Sequence, residues 1–400
     1  YPILTRTYTP EDFGLLNLFL SIGGVLVIWS TKEYYYAIVL PKTKQESVSV
    51  LLLCVCLLLL TVGLTTIFVL FSTEIATLFK TPKLADYFWM MPILVLALGG
   101  WNILNYWYIR CSQYNRISNY QLTQSVLSAG GKLGFGYAGV LHGGMIYAMV
   151  IAPTISLLIN VFAIRKTIKD CCIPSWTKIR DVARKYSNFP CFSLPRSFIN
   201  MLAGQLPILI LTPIFGAEHV GWWSMAILLG FTPISVIARS IYQVMYQYTT
   251  DRVNKNLPIH KYFCRFTWLV VMLEVPFLSI LCYFMLDLTV LVLGTGWEET
   301  GVYLRWMLPW VLCNLLTGSV GFLADIFFKQ KVGLIFEILT SVLRTLGVVL
   351  GIIFEDFKLS IIGYSIGTAV AVAAQYVWLL SLTRRYDATL TSLSDASTDG

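Results

Sequence analysis

The sequence predicts an all-α polytopic membrane protein: two parallel six-helix repeats, the first helix truncated, around a central cavity. Three observations predict it. The composition is far from that of soluble domains, apolar runs of bilayer-spanning length follow one another along the chain, and short stretches recur at a nearly constant offset. Of 400 residues, 57% are hydrophobic types and 12% charged, with a mean hydropathy of +0.71, whereas roughly a quarter of a soluble domain is charged. About 20 apolar residues cross the hydrocarbon core as a helix, which satisfies its own backbone groups there. Eleven such runs are present: 13–30, 48–71, 87–109, 120–141, 143–164, 191–214, 221–240, 264–287, 302–327, 332–354 and 359–382. Residues 1–5 read as the end of a twelfth helix cut off upstream, since the chain opens on Tyr1 rather than Met. Leu51–Leu60 is a continuous apolar run without period-2 alternation, which argues against a transmembrane β-barrel.

The formal net charge of +8 comes from short basic runs between apolar segments, not from a stripe interleaved with aromatics, so nucleic acid is not an expected partner. Loops 31–47, 110–119, 165–190, 241–263, 328–331 and the segment after 382 carry 19 Lys and Arg, and the opposite loops carry four. By the positive-inside rule the first set, with the C-terminus, is cytoplasmic. The longest loop, basic and centred on Pro174 and Trp176, reads as the joint between halves and as a surface attracted to anionic headgroups. The expected organisation is a helical bundle over 1–165, a linker over 166–190, a second bundle over 191–383 and a disordered tail over 384–400. Nine cysteines include no C-x-x-C, Cys171 and Cys172 fall in the basic loop, and His142, His219 and His260 are far apart. Neither a metal site nor a disulfide framework is expected. Trp222, Trp223, Trp297 and Tyr303, near span ends, read as an interfacial belt.

The halves repeat. Ile3-Leu4-Thr5, Glu11 and Gly14 recur as Ile210-Leu211-Thr212, Glu218 and Gly221 at an offset of 207, and Trp89-Met90-Met91-Pro92 recurs as Trp306-Met307-Leu308-Pro309 at 217. An even number of intervening spans gives the repeats the same orientation, an arrangement used by alternating-access carriers. The same segments carry a resemblance. The run Pro2–Gly14, followed by Ala37-Ile38-Val39-Leu40-Pro41, resembles the opening of polysaccharide-biosynthesis flippases. Phe189-Pro190, Phe192-Ser193-Leu194-Pro195, Gln205-Leu206-Pro207 and Phe215-Gly216-Ala217-Glu218 with Gly221 are similar to the same family's seventh helix and following turn. That family is the O-antigen (Wzx-type) and exopolysaccharide flippases, within the multidrug/oligosaccharidyl-lipid/polysaccharide (MOP) exporter superfamily. The resemblance implies a cationic cavity and transfer of undecaprenyl-diphosphate-linked oligosaccharide to the outer leaflet of a bacterial inner membrane. It also implies membrane lipid and polysaccharide polymerase machinery as partners. Arg196 departs from the small residue expected after the family's Leu-Pro step.

An ionisable side chain in a span costs at least about 2.5–3.5 kcal/mol, so each needs a reason. Lys132 and Arg344 lie near mid-span, Arg196 lies a turn and a half inside its helix, and Arg6 opens an external loop. These four are the candidate contacts for an anionic headgroup, because a diphosphate that loses its hydration needs fixed cations or donors in exchange. The bland alternative is internal pairing, Arg344 with Glu337 or Asp325 for instance. Glu274, Asp325 and Glu337 are the intramembrane acids and the candidates for a coupling proton or sodium ion; no other cofactor is expected. Asn102, Asn105, Asn200, Gln205 and Asn314 either join helices or meet sugar hydroxyls. Two rivals stand beside a flippase. One is a drug or cation exporter of the same superfamily, which needs acids in its cleft. The other is a membrane glycosyltransferase or O-antigen polymerase, which needs a large external catalytic loop; the longest external loop here is 72–86.

Overall fold

The computed structural model describes residues 2–140, 143–169 and 175–398; the side chains at 163–169, 196, 200, 203, 330 and 393–398 are outside that description. Cys171, Cys172 and His142 therefore lie outside the described residues. Among the described residues every regular element is helical: α1 (Pro2–Thr5), α2 (Pro10–Ser30), α3 (Lys44–Phe68), α4 (Ser72–Leu78), α5 (Met91–Arg110), α6 (Tyr114–Tyr137), α7 (Gly144–Lys169), α8 (Trp176–Lys185), α9 (Leu194–Phe215), α10 (Ala217–Asn254), α11 (His260–Leu293), α12 (Glu298–Val320), α13 (Leu323–Ile326), α14 (Gln330–Ile353) and α15 (Phe357–Thr398), with 3-10 turns over Tyr34–Val39, Val69–Phe71 and Pro82–Met90 and a π turn over Phe189–Ser193. Two compact units divide the chain, Tyr1–Gly221 and Trp222–Gly400. The basic segment 166–190 lies within the first, and α10 starts in the first and continues into the second.

Among the described residues, nine helical segments are long and apolar enough to cross a bilayer, and the pair Phe189–Ile199 and Gly204–Phe215, bent by 51°, makes a tenth. That bend has a local cause: Pro207 lacks the N–H that would bond the carbonyl four residues back, at the break between Ile199 and Gly204. The expected span over 120–141 is met by α6, which is 24 residues long but too polar to join the others. At the tail the composition predicts disorder over 384–400, whereas α15 runs on to Thr398. Its extension is anchored: Asp387 accepts from the backbone N–H groups of Ile259 (2.8 Å) and His260 (3.0 Å), and the Tyr386 hydroxyl donates to the Val253 carbonyl. The Asp387 carboxylate meets the donors left open at the start of α11.

In the first unit, α2 starts with a capping box. Thr9 Oγ1 accepts from the Asp12 N–H at 3.3 Å, Asp12 Oδ2 accepts from the Thr9 N–H at 2.9 Å, and Pro10 occupies the first turn. α2 and α9 run antiparallel. Ser21 donates to Gln205 Oε1 at 2.6 Å, and Trp29 meets Phe198 edge-on at 5.7 Å, so Gln205 joins helices. At the other end a Cβ on Gly14 would overlap the Ala217 carbonyl, and one on Gly221 would overlap that of Pro10. Arg110 staples the turn before α3 by donating to the carbonyls of Val39 (3.1 Å), Pro41 (2.8 Å) and Thr43 (3.2 Å). α8 lays Ile179 and Val182 on the rest of the unit, and Tyr34 donates to the Ala183 carbonyl.

In the second unit, α14 and α15 pack backbone to backbone at Gly347 and Gly363. Leu269, Leu273, Phe277 and Ile280 on α11 are all exposed, a surface suited to lipid rather than water. The interfacial-belt reading needs correction: Trp223, Trp297 and Tyr303 are buried. Trp223 packs edge-on against Tyr364 at 5.4 Å, and Tyr303 packs tilted against Phe357 at 5.3 Å, so these rings are core of the second unit.

Candidate functional site

Two of the cations singled out in the sequence lie inside long helices, one in each unit. In the first, Lys132 lies on α6 between Gly131 and Gly134 and is half-buried. Gly131 brings the helix close to Ala148 of α7, and the Tyr8 hydroxyl donates to the Lys132 carbonyl at 2.7 Å. The Arg6–Thr9 turn is thereby held against this end of α6, with the Thr7 methyl beside Gly136. Arg6 is exposed at that turn. Among the described residues no acid pairs with the Lys132 amine. Arg196 is the third residue of α9; its side chain lies outside the described residues.

In the second unit, the Arg344 guanidinium carbon lies 5.1 Å from the Tyr364 ring centre and 5.9 Å from that of Trp310. Those rings contact each other at 5.2 Å, and Phe231 closes on Trp310 at 3.9 Å. The cation is therefore held by ring faces of α12 and α15. Arg344 Nε is buried without a hydrogen-bond partner, and among the described residues no ion pair joins Arg344 to Glu337 or Asp325. Both of those acids are exposed. Glu274 differs: it is buried on α11, and neither carboxyl oxygen has a hydrogen-bond partner. Arg305, by contrast, is engaged, donating to the carbonyls of Cys282 (2.9 Å) and Tyr283 (3.2 Å).

One acid escapes a sequence reading. Glu33 is buried at the cytoplasm-assigned end of α2, and both Lys32 (φ 48°) and Glu33 (φ 65°) are left-handed, a conformation costly for residues with a Cβ. The Tyr35 hydroxyl donates to Glu33 Oε1 at 3.2 Å and Ser197 to Oε2 at 3.3 Å. Tyr35, Tyr36 and Tyr106 cluster with ring centres 4.4–5.1 Å apart. Burial, with Tyr36 and Glu33 alongside, pushes the Tyr35 phenol far above its ordinary value. The Tyr34-Tyr35-Tyr36 run after Glu33 is the one signal in the sequence, and it sits in a loop that the charge tally assigns to topology. Among the described residues no group of His, Cys, Asp and Glu could hold a metal ion.

The family model of the polysaccharide biosynthesis protein matches residues 3–301. The chain belongs to that family. Its fold is that of MATE transporters in the MOP superfamily. An inward-facing multidrug resistance MATE family transporter aligns over 98% of this chain and 94% of its own, with a TM-score of 0.67 and 15% identity. A MATE structure in the bent conformation aligns over 98% and 96%, with a TM-score of 0.50 and 15% identity. No curated protein matches the chain.

Proposed function

We propose that this member of the polysaccharide biosynthesis family is a flippase that carries undecaprenyl-diphosphate-linked oligosaccharide from the inner to the outer leaflet of a bacterial inner membrane by alternating access, its C-terminus in the cytoplasm. The observation that supports the reading best is that two cations inside long helices, Lys132 and Arg344, are not joined to an acid among the described residues. A charge in that position costs at least about 2.5–3.5 kcal/mol and is offset when an anion joins it. Either cation suits a phosphate oxygen of a diphosphate, Lys as a point charge and Arg as a planar fork. Arg6 and Arg196 are proposed as further headgroup contacts at the ends of their helices. Outward movement of a dianion would gain up to about 4.6 kcal/mol per 100 mV if it crossed the full field.

A coupling proton or sodium would alter that sum. Glu274 is the acid proposed to carry it, in preference to the exposed Asp325 and Glu337, because a buried carboxyl without donors changes charge only when its surroundings rearrange. The same residue favours the second reading, a cation or drug exporter of the superfamily. Three substitutions separate the readings: Lys132→Ala and Arg344→Ala should each abolish surface polysaccharide while the protein still inserts, whereas Glu274→Ala should abolish export of a cationic drug. Full surface polysaccharide in both cation variants would refute the flippase reading.

A further inference from the structure

α6 has the length of a span without the composition of one. Five of its polar residues share one face. Ser118, Gln121, Ser125, Ser128 and Lys132 follow steps of three, four, three and four, which at about 100° per residue gather them within roughly 80° of the helix circumference. The seam they form is about 21 Å long at 1.5 Å per residue. Outside it, Arg116, Thr123 and Gln124 are half-buried and Asn119 is exposed beside Val126. Tyr120, stacked on Trp101 at 3.4 Å and 2°, and Gly131, against Ala148, turn toward α5 and α7. Leu122 and Val126 form an exposed apolar face.

Along the seam itself Ser118, Gln121 and Ser125 are exposed, and Ser128 and Lys132 are half-buried. Ser128 leans on Met149 Sδ at 3.3 Å; among the described residues the Gln121 and Ser125 side chains have no hydrogen-bond partner. An amide and a row of hydroxyls facing hydrocarbon would leave donors and acceptors unsatisfied at each step. They match, in kind and spacing, a ligand that presents many hydroxyls beside one anionic group, since Lys132 supplies a cation at one end only.

We infer that this seam is a glycan track: the hydroxyls of a diphosphate-linked oligosaccharide lie along Ser118, Gln121 and Ser125, and its diphosphate lies at Lys132. The inference rests on the flippase reading and adds the sugar-contacting residues to it. Single cysteines test it in the full-length protein reconstituted in liposomes. α6 has none of the nine native cysteines, so peptide-resolved mass spectrometry reads S118C, Q121C and S125C separately, with L122C and V126C as controls. A charged thiol reagent should label the seam positions roughly tenfold faster or more than the controls, because it must enter hydrocarbon to reach a lipid-facing thiol. Polyprenyl diphosphate carrying an oligosaccharide should remove most of the labelling at Q121C and S125C, and sugar-free polyprenyl diphosphate should leave it. Seam thiols as slow as the controls would mean that another helix covers the face, and would overturn the inference. Labelling that neither lipid reduces, or that both reduce equally, would overturn the glycan assignment. Failure of the flippase reading looks different: sugar-dependent protection persists while no lipid changes leaflet.

Discussion

Arg344 and Lys132 carry the same charge in unlike settings, and their substitutions should differ accordingly. The Arg344 guanidinium faces Tyr364 and Trp310, and such a contact contributes about 0.5–2 kcal/mol depending on desolvation. Arg344→Lys keeps the charge and loses the planar face, so affinity for polyprenyl diphosphate should fall by roughly 2- to 30-fold, measured by calorimetry on purified protein. Lys132→Arg should retain binding, since among the described residues no ring or acid fixes the amine. Glu274→Gln keeps the shape of a buried carboxyl that has no donor or cation beside it. Its unfolding temperature in detergent should match the parent, and transport in liposomes should lose its response to an imposed pH gradient. An unchanged pH response would remove Glu274 from coupling.

Helices and their junctions make separate predictions. Gly14 and Gly221 bring backbone against backbone near Ala217 and Pro10, where no side-chain rotation can relieve an added methyl. Gly14→Ala should therefore destabilise the first unit by about 1–3 kcal/mol, read as a lower unfolding temperature with unchanged helicity. α8 is held by Ile179, Val182 and the exposed Lys185–Glu46 contact. The hydrogen bond to Glu46 raises the Lys185 pKa. A raised value in the folded state means that the contact contributes fully below the ordinary lysine value of about 10.4 and is lost as pH climbs through the raised one. Amide exchange in 176–185, corrected for intrinsic rate, should be flat across neutral pH and quicken on the alkaline side, and Lys185→Gln should show the quickened rate at pH 7. Long apolar helices such as α3 and α11 are legible in the sequence because their length and hydropathy are set by the bilayer. The steps of three and four along α6 are legible too, but which of its faces is exposed is not, because that is set by packing against α5 and α7. Glu33 is hidden for a related reason, since a basic loop gives no hint that one acid in it folds inward.

For the molecule as a whole, helical membrane architecture and family were readable from composition, span length and the two motif runs at 2–14 and 189–221. The break at Gly221 was not, because packing of α9 along α2 through Ser21, Gln205, Trp29 and Phe198 depends on contacts far apart in sequence. Of the candidate site residues, Arg344 stood out as an isolated charge in an apolar run and Lys132 as the one charge in a Gly-rich stretch. The aromatic setting of Arg344 arises from α12 and α15 meeting α14, and no spacing in the sequence announces it. The account stands or falls on movement of a lipid-linked glycan between leaflets. Liposomes containing the purified protein, loaded with fluorescent polyprenyl-diphosphate oligosaccharide and probed with a membrane-impermeant reagent for the outer leaflet, measure it directly. The parent should expose nearly all of the glycan, while Lys132→Ala and Arg344→Ala should expose only the fraction found in protein-free liposomes. Equal exposure with and without protein, or full transfer by both variants, would contradict the account.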